Sequence, residues 1–391
     1  MTLNANRGII LGAPGGTMDP VSGTTLTYKG IAAGPGFLGP KNNAGTLVLG
    51  GVNTYSGATI IHAGILSISA DANLGTAPGS ATPGSLVLSG GTLETTATFT
   101  LNANRGITLG STGGTMDPVS GTTLTYNGIV AGTAGLGPKT LSGTLVLGGG
   151  SGNTYAGATT LFAGTLELSK TAQNAIPGAL IIGNGVSTAL VQETLSDQIY
   201  NSATVTVNNS GTLDLNNNND AFFGIVMTGG TIKSGTGLIT IYGNVVTNAS
   251  SSTAVISGNL ALSNANGPTQ TFAVASGTVP NNGPDLAISA SISGTGGITK
   301  TGAGTLTLSN TNTNTYTGAT IVNAGTLLVN GSQSASAVTV NSGAILGGTN
   351  GTVGTISVAG GTVSPGASEF RVLAFLGGDE VGIISSYLTS S

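Results

Sequence analysis

The chain has 391 residues, only 6% of them charged, and a formal net charge of −4. An average soluble protein carries about 25% charged residues, and nine Lys and Arg scattered singly make no basic patch, which argues against nucleic acid as a partner. The absence of cysteine excludes disulfides, thiolate metal sites and cysteine nucleophiles, and no apolar window reaches the roughly 18 residues of a transmembrane helix.

Residues 3–12, LNANRGIILG, and 15–31, GGTMDPVSGTTLTYKGI, return at 101–110 and 113–129. The longer phrase changes only Lys29 to Asn127, and the offset is 98 residues. GTLVLGG at 45–51 leads into NTYSGATIIHAGILSIS at 53–69, and both return at 143–149 and 153–169. Further on come VTVNNSGTLDL (205–215), GTLTLSN (304–310), NTYTGATIVNAGTLLVNG (314–331) and VTVNSGAIL (338–346).

Within each phrase the apolar period is two, as in a strand buried on one face. In chain order the inward positions are Leu47 and Leu49, Leu66 and Ile68, Leu145 and Leu147, and Leu166 and Leu168. Leu213 and Leu215, Leu306 and Leu308, and Leu327 and Val329 follow. Between them, Ser67, Glu167 and Leu328 take the outward position; an unpaired glutamate inside would be too costly. Glycines and Asn-Gly-type pairs bound the runs, as tight turns require.

Short strands with fixed self-similarity admit a sandwich array, a propeller or a β-solenoid. The aromatic signatures of propeller blades and sandwich cores are missing. The expected class is all-β: a single-stranded parallel β-helix with rungs of roughly 20–25 residues, about 4.8 Å apart. The 98-residue unit then makes four or five rungs. Residues 1–368 read as one continuous solenoid with units at about 1–98, 99–190, 191–290 and 291–368. Residues 369–391, EFRVLAFLGGDEVGIISSYLTSS, leave the idiom and read as a cap or a disordered, extraneous tail.

The pattern GTL, then NTY-G-AT, then AGTL, at 45–69, 143–169 and 302–332, resembles the autotransporter-associated β-strand repeat of bacterial autotransporter passengers. GGTVSPGAS at 360–368 is similar to another phrase of such passengers. The resemblance implies a right-handed parallel β-helix that is secreted or displayed on the cell surface, with no particular activity. The chain has no apparent export signal or C-terminal membrane barrel. Met1 aligns with Phe99, so it reads as a piece of a longer protein opening mid-repeat, and no membrane insertion of this segment is expected.

Several residues could carry chemistry. His62 is the single histidine, and Phe162 and Asn323 replace it in the other copies, so no triad is built around it. GPGFLG (34–39) fits GxGxxG, but its counterpart GTAGLG (132–137) loses the spacing and no helix follows. Asp19 and Asp117 occupy identical MDPVSG turns, separated by about 20 Å of rungs, too far for a glycosidic pair. Glu193, Asp197, Asp214 and Asp220 form the one acidic group. It reads as a solvated strip, with a weak Ca²⁺ site or hydrolytic pair as the sharper alternative. Arg7 and Arg105 are expected to donate laterally to turns, and Tyr55, Tyr155 and Tyr316 to pack turns rather than form a sugar platform.

No catalytic residue, cofactor or metal follows from this. The expected function is a noncatalytic extracellular structural or adhesive rod. The alternatives are a self-assembling fibre subunit stacking end to end, and a β-helical polysaccharide-binding or polysaccharide-degrading protein. The partners that fit are other copies of the chain, end to end or lateral, and host or matrix surface glycans or proteins.

Overall fold

The computed structural model describes residues 1–172, 174–309, 313–333 and 335–365, and the backbone alone of Phe370–Leu376 and Tyr387–Leu388. The chain divides into two compact units, Met1–Ile182 with Ser187–Tyr200, and Gly183–Val186 with Asn201–Ser391. Each is a β-solenoid, and the strands paired within residues 1–365 pair in parallel, with one isolated antiparallel bridge, Asn341 to Gly360, among the described residues. The other regular elements among the described residues are two short 3₁₀ turns, Asp71–Leu74 and Pro280–Asn282. No helix among them is long and apolar enough to cross a membrane.

In the first unit each turn runs through three faces. The first face stacks Thr25–Tyr28, Thr46–Leu49, Ile65–Ile68, Thr92–Thr95 and Thr115–Pro118, and an isolated bridge from Gly114 to Leu136 extends it to Leu136–Lys139. The second face carries Phe99–Leu101, Thr123–Tyr126, Thr144–Gly149, Gly164–Lys170 and Ala189–Glu193. The third carries Leu38–Lys41, Thr59–Ile61, Thr82–Leu88, Arg105–Leu109 and Val130–Gly132.

The 98-residue duplication does not fit a whole number of turns. From Thr25–Tyr28 the first face is revisited for the fourth time at Thr115–Pro118. The next segment, Thr123–Tyr126, is the copy of Thr25–Tyr28 and lies on the following face. One unit is therefore four turns and one face, and the second copy is rotated about the axis by one face relative to the first. Turn length is also more variable than the sequence suggests. The step from Thr46 to its partner Ile65 is short. The next step, from Ile65 to Thr92, is long enough to take in the 3₁₀ turn Asp71–Leu74.

The second unit has the same three-sheet plan. One sheet runs from Gly211–Asp214 through Ala254–Ser257 and Thr305–Leu308 to Thr362–Pro365; a second runs from Thr204–Asn208 to Thr352–Ala359. A third stacks Asp220–Phe222, Ile239–Ile241, Asn259–Leu262 and Ser291–Gly294. Its longest turn takes Ala254 to Leu286 and contains the Pro280–Asn282 turn.

Parallel in-register stacking puts like on like. Leu47, Leu66 and Leu93 form one inward column, and Leu124, Leu145, Leu166 and Val191 another. All fourteen inward residues named from the sequence are buried. At the outward positions Glu167 and Leu328 are half-buried, but Ser67 is covered. The tail 369–391 lies outside the described residues except for two backbone strands. Phe370–Leu376 pairs parallel to Thr352–Ala359, and Tyr387–Leu388 pairs antiparallel to Phe370–Leu376.

Candidate functional site

The residues with chemistry turn inward. Three times the chain builds the same internal cassette, beginning with a lysine at the end of a strand. Lys41, Lys139 and Lys300 are buried, and each ammonium caps corner carbonyls. Lys41 Nζ donates to Asn43 O and Ala63 O, and Lys139 Nζ to Leu141 O and Ala163 O. Lys300 Nζ donates to the carbonyls of Thr301, Gly302 and Ala324 at 2.8–3.0 Å. A carboxylate stands by each: Asp19, Asp117 (3.8 Å from Lys139) and Asp285. These acids also cap backbone, Asp117 accepting from Thr140 N and Leu141 N, and Asp285 from Gly277 N and Thr305 N.

Burial pushes the ammonium of Lys139 and of Lys300 down to about 8, with Asp117 and Asp285 opposing it. Lys170, buried with its Nζ on Gly128 O at 2.5 Å, is also lowered to about 8 by burial. Desolvation disfavours the charged form, and a solenoid corner offers little water to offset it.

About a dozen residues further on comes a buried asparagine. Asn53, Asn153 and Asn314 each accept through Oδ1 from the backbone of the preceding turn, at Ala32 N, Val130 N and Ile292 N, at 2.8–3.0 Å. Asn53 and Asn153 also donate forward, to Asn73 O and Ala175 O. One side chain thus ties together three successive turns. Two residues later stand Tyr55, Tyr155 and Tyr316, all fully buried, whose hydroxyls bond the Thr four residues on: Thr59, Thr159 and Thr320. Burial raises all three phenols, Tyr55 to about 12.

Other candidates resolve similarly. Arg105 is buried and donates to the Asp71 carboxylate at 2.8 Å and to the carbonyls of Leu74 and Gly75; Arg7 is exposed. His62 is exposed, with Nδ1 3.1 Å from Asn42 Oδ1. GPGFLG leads into the strand Leu38–Lys41. Its last glycine, Gly39, has φ +126°, and a Cβ there would sit 2.5 Å from Ile60 O, so close backbone approach explains the glycine.

The acidic group is not a solvated strip. Glu193 and Asp220 are buried, Glu193 inward at the end of the column Tyr126–Leu147–Leu168–Glu193. Asp197 is half-buried at φ 58°. Asp214 is ion-paired with Lys233 at 2.9 Å and accepts from Asn216 N. Two of the four belong to each unit, and among the described residues no group of three or more His, Asp and Glu could hold a metal ion.

Sequence reasoning missed the lysines, because a lone Lys reads as surface. A signal was present: each stands four residues before a GTL, in KNNAGTL (41–47), KTLSGTL (139–145) and KTGAGTL (300–306).

The comparisons with known proteins fall on these cassettes. The passenger-associated-transport-repeat matches residues 41–68, 139–168 and 298–329. Each match runs from the buried lysine, or just before it, to the strand one turn later. An adhesin autotransporter of Brucella suis, BmaC, is 38% identical over 180 residues, covering 44% of this chain and 5% of that protein. The chain thus spans about a twentieth of the length of the relative it matches. No solved structure matches. Over three repeats, each laid on a buried-lysine cassette of a parallel β-solenoid, this chain is similar to the passenger repeats of autotransporters.

Proposed function

We propose that this chain is an extracellular, noncatalytic adhesive segment that holds its outer faces against a neighbouring surface. The observation carrying this reading is that the buried Lys, Asn and Tyr of each cassette are spent on carbonyls, amides and a threonine hydroxyl of the solenoid itself, and the Asp beside each Lys on backbone amides. Along the outer faces run columns of uncharged side chains, such as Thr25–Thr46–Ile65–Thr92. Likeness to an adhesin supports attachment as the use of those faces. The partners that fit are host or matrix surface molecules. Large, weakly charged faces suit contact through many small interactions, not one charged hot spot.

The test is adhesion of beads coated with the purified chain to epithelial cells and to extracellular matrix. Saturable attachment, competed by free protein, is expected. Attachment no better than albumin-coated beads would overturn the adhesive reading. Release of reducing ends from polysaccharide, abolished by Asp214→Asn, would overturn the noncatalytic one.

A further inference from the structure

The corner between the second and third faces of the first unit holds a groove of about 450 Å³, within the range of ligand pockets. It crosses four successive turns, at Ala81–Pro83, Ala103–Ile107, Asn127–Ala131 and Gly150–Thr154, a length of about 14 Å at one sheet spacing per turn. One wall is the end of the long turn from Ile65 to Thr92, and it is fastened in place. Asn104 Nδ2 donates to Pro78 O at 3.0 Å, Thr82 N donates to Asn104 O at 2.9 Å, and Arg105 holds the Asp71–Gly75 segment before it. A wall ordered before binding costs no ordering entropy when a ligand arrives.

We propose that this groove binds a neutral oligosaccharide; the proposal deepens the adhesive reading and rests on it. Its lining has no ionisable side chain, so an anionic glycan or a nucleic acid gains no ion pair there. The surface alternates small aliphatic patches, Ala81, Pro83 and Ile129, with the amide of Asn127 and the hydroxyls of Ser151 and Thr154. No hydrogen bond among the described residues occupies those last three side chains, and all three are exposed. Pyranose rings present the same alternation of C–H faces and O–H edges, and their length along a chain is close to the spacing between turns. An extended peptide is less well served. The strands behind the groove, Thr82–Leu88, Arg105–Leu109 and Val130–Gly132, already pair with one another, so the groove offers no free strand edge for main-chain pairing.

The first copy of the unit is an internal control. Tyr28 and Tyr126 fold equivalent turns one face apart, each hydroxyl donating to the carbonyl of the arginine before it and of the isoleucine after it. In the first copy, however, Lys29 stands where Asn127 stands. Asn127→Lys therefore places at the groove a residue that the equivalent turn already accommodates.

The experiment is a glycan array followed by calorimetry on the intact chain. The probes are short neutral gluco-, galacto-, manno- and N-acetylglucosamine oligosaccharides, with sialylated and sulfated glycans and an extended Ser/Thr-rich peptide alongside. One neutral oligosaccharide per chain is expected, with affinity insensitive to salt. Asn127→Lys and Ser151→Lys should each weaken it about tenfold or more, as burying an unpaired charge against a neutral ligand does, while Lys29→Asn leaves it unchanged. Binding of no neutral glycan, binding only of acidic glycans or of the peptide, or indifference to both groove variants would each overturn the proposal. Beads that still adhere when no glycan binds would sink the groove and leave the adhesive reading standing. Glycan binding without bead adhesion would do the reverse.

Discussion

Residues 3–31 and 101–129 spell nearly the same text, yet the two stretches are held differently. Tyr28 and Tyr126 are both fully buried and make the same two hydrogen bonds. Arg7 is exposed, whereas Arg105 is buried on Asp71, Leu74 and Gly75. Those partners lie 30 to 34 residues before Arg105. Asp19 caps Asn42 N and Asn43 N near the surface, while Asp117 caps the equivalent amides under cover, although each stands by a buried lysine. In a solenoid a residue's surroundings come from the turns before and after it. A motif fixes the inward contacts, and the neighbouring turns decide the rest.

The largest effects fall in the core, where the copies should agree. Leu49 and Leu147 fill equivalent inward positions and are both buried. Leu49→Ala and Leu147→Ala should each cost about 2–5 kcal/mol, by similar amounts, in urea unfolding. A large difference would mean that the inward column is not set by the motif. The arginines come next, where the copies should disagree. Arg105→Ala strands the Asp71 carboxylate and three carbonyls; since Asp71 is partly exposed, the cost should be about 2–3 kcal/mol. Arg7→Ala should stay within about 0.5 kcal/mol. Hydrogen exchange at residues 71–75 should accelerate in the first variant alone. Equal costs would contradict the buried assignment of Arg105.

The inward columns were legible because alternation of period two survives any change in turn length. Leu66 and Leu166 face the core although their copies sit on different faces of the first unit. The one-face rotation was not legible. It depends on the lengths of individual turns, including the long one from Ile65 to Thr92, and nothing in local composition fixes where that turn rejoins its face. Glu193 was misread for a related reason. Grouping acids by closeness in sequence ignores register, and register puts Glu193 opposite Leu168 on the inward side. The lysines were hidden by habit: four of the six in this chain are buried, because corner carbonyls left over by tight turns need donors and a long flexible ammonium reaches several at once.

A smaller effect separates the hydroxyl from the ring. Tyr155 and Tyr55 both pack fully buried and bond their threonines. Tyr155→Phe and Tyr55→Phe keep the ring and leave a buried Thr hydroxyl without its partner, at a cost of about 1–2 kcal/mol. Because this bond lies within one turn, the two copies should lose equally, and a thermal melt of each variant measures it.

The last expected effect is a pH dependence, and its sign follows from two kinds of buried group. Lys139, Lys170 and Lys300 fall from 10.5 to about 8 on burial. Between pH 8 and 10.5 the unfolded chain therefore binds more protons than the folded one, and stability rises with pH across that window. Tyr55 and Tyr126 rise from 10.0 to about 12 on burial. Their contribution is complete below pH 10 and is lost as the unfolded phenols ionise between pH 10 and 12. The urea midpoint should thus climb above pH 8, crest near pH 10 and fall beyond it. Lys139→Met should flatten the rising limb and spare the falling one, and Tyr126→Phe should do the opposite. A midpoint that falls steadily from pH 8 upward would mean that the corner carbonyls hold the ammonium charge more strongly than burial opposes it, and that the lysines stabilise the turns as cations throughout.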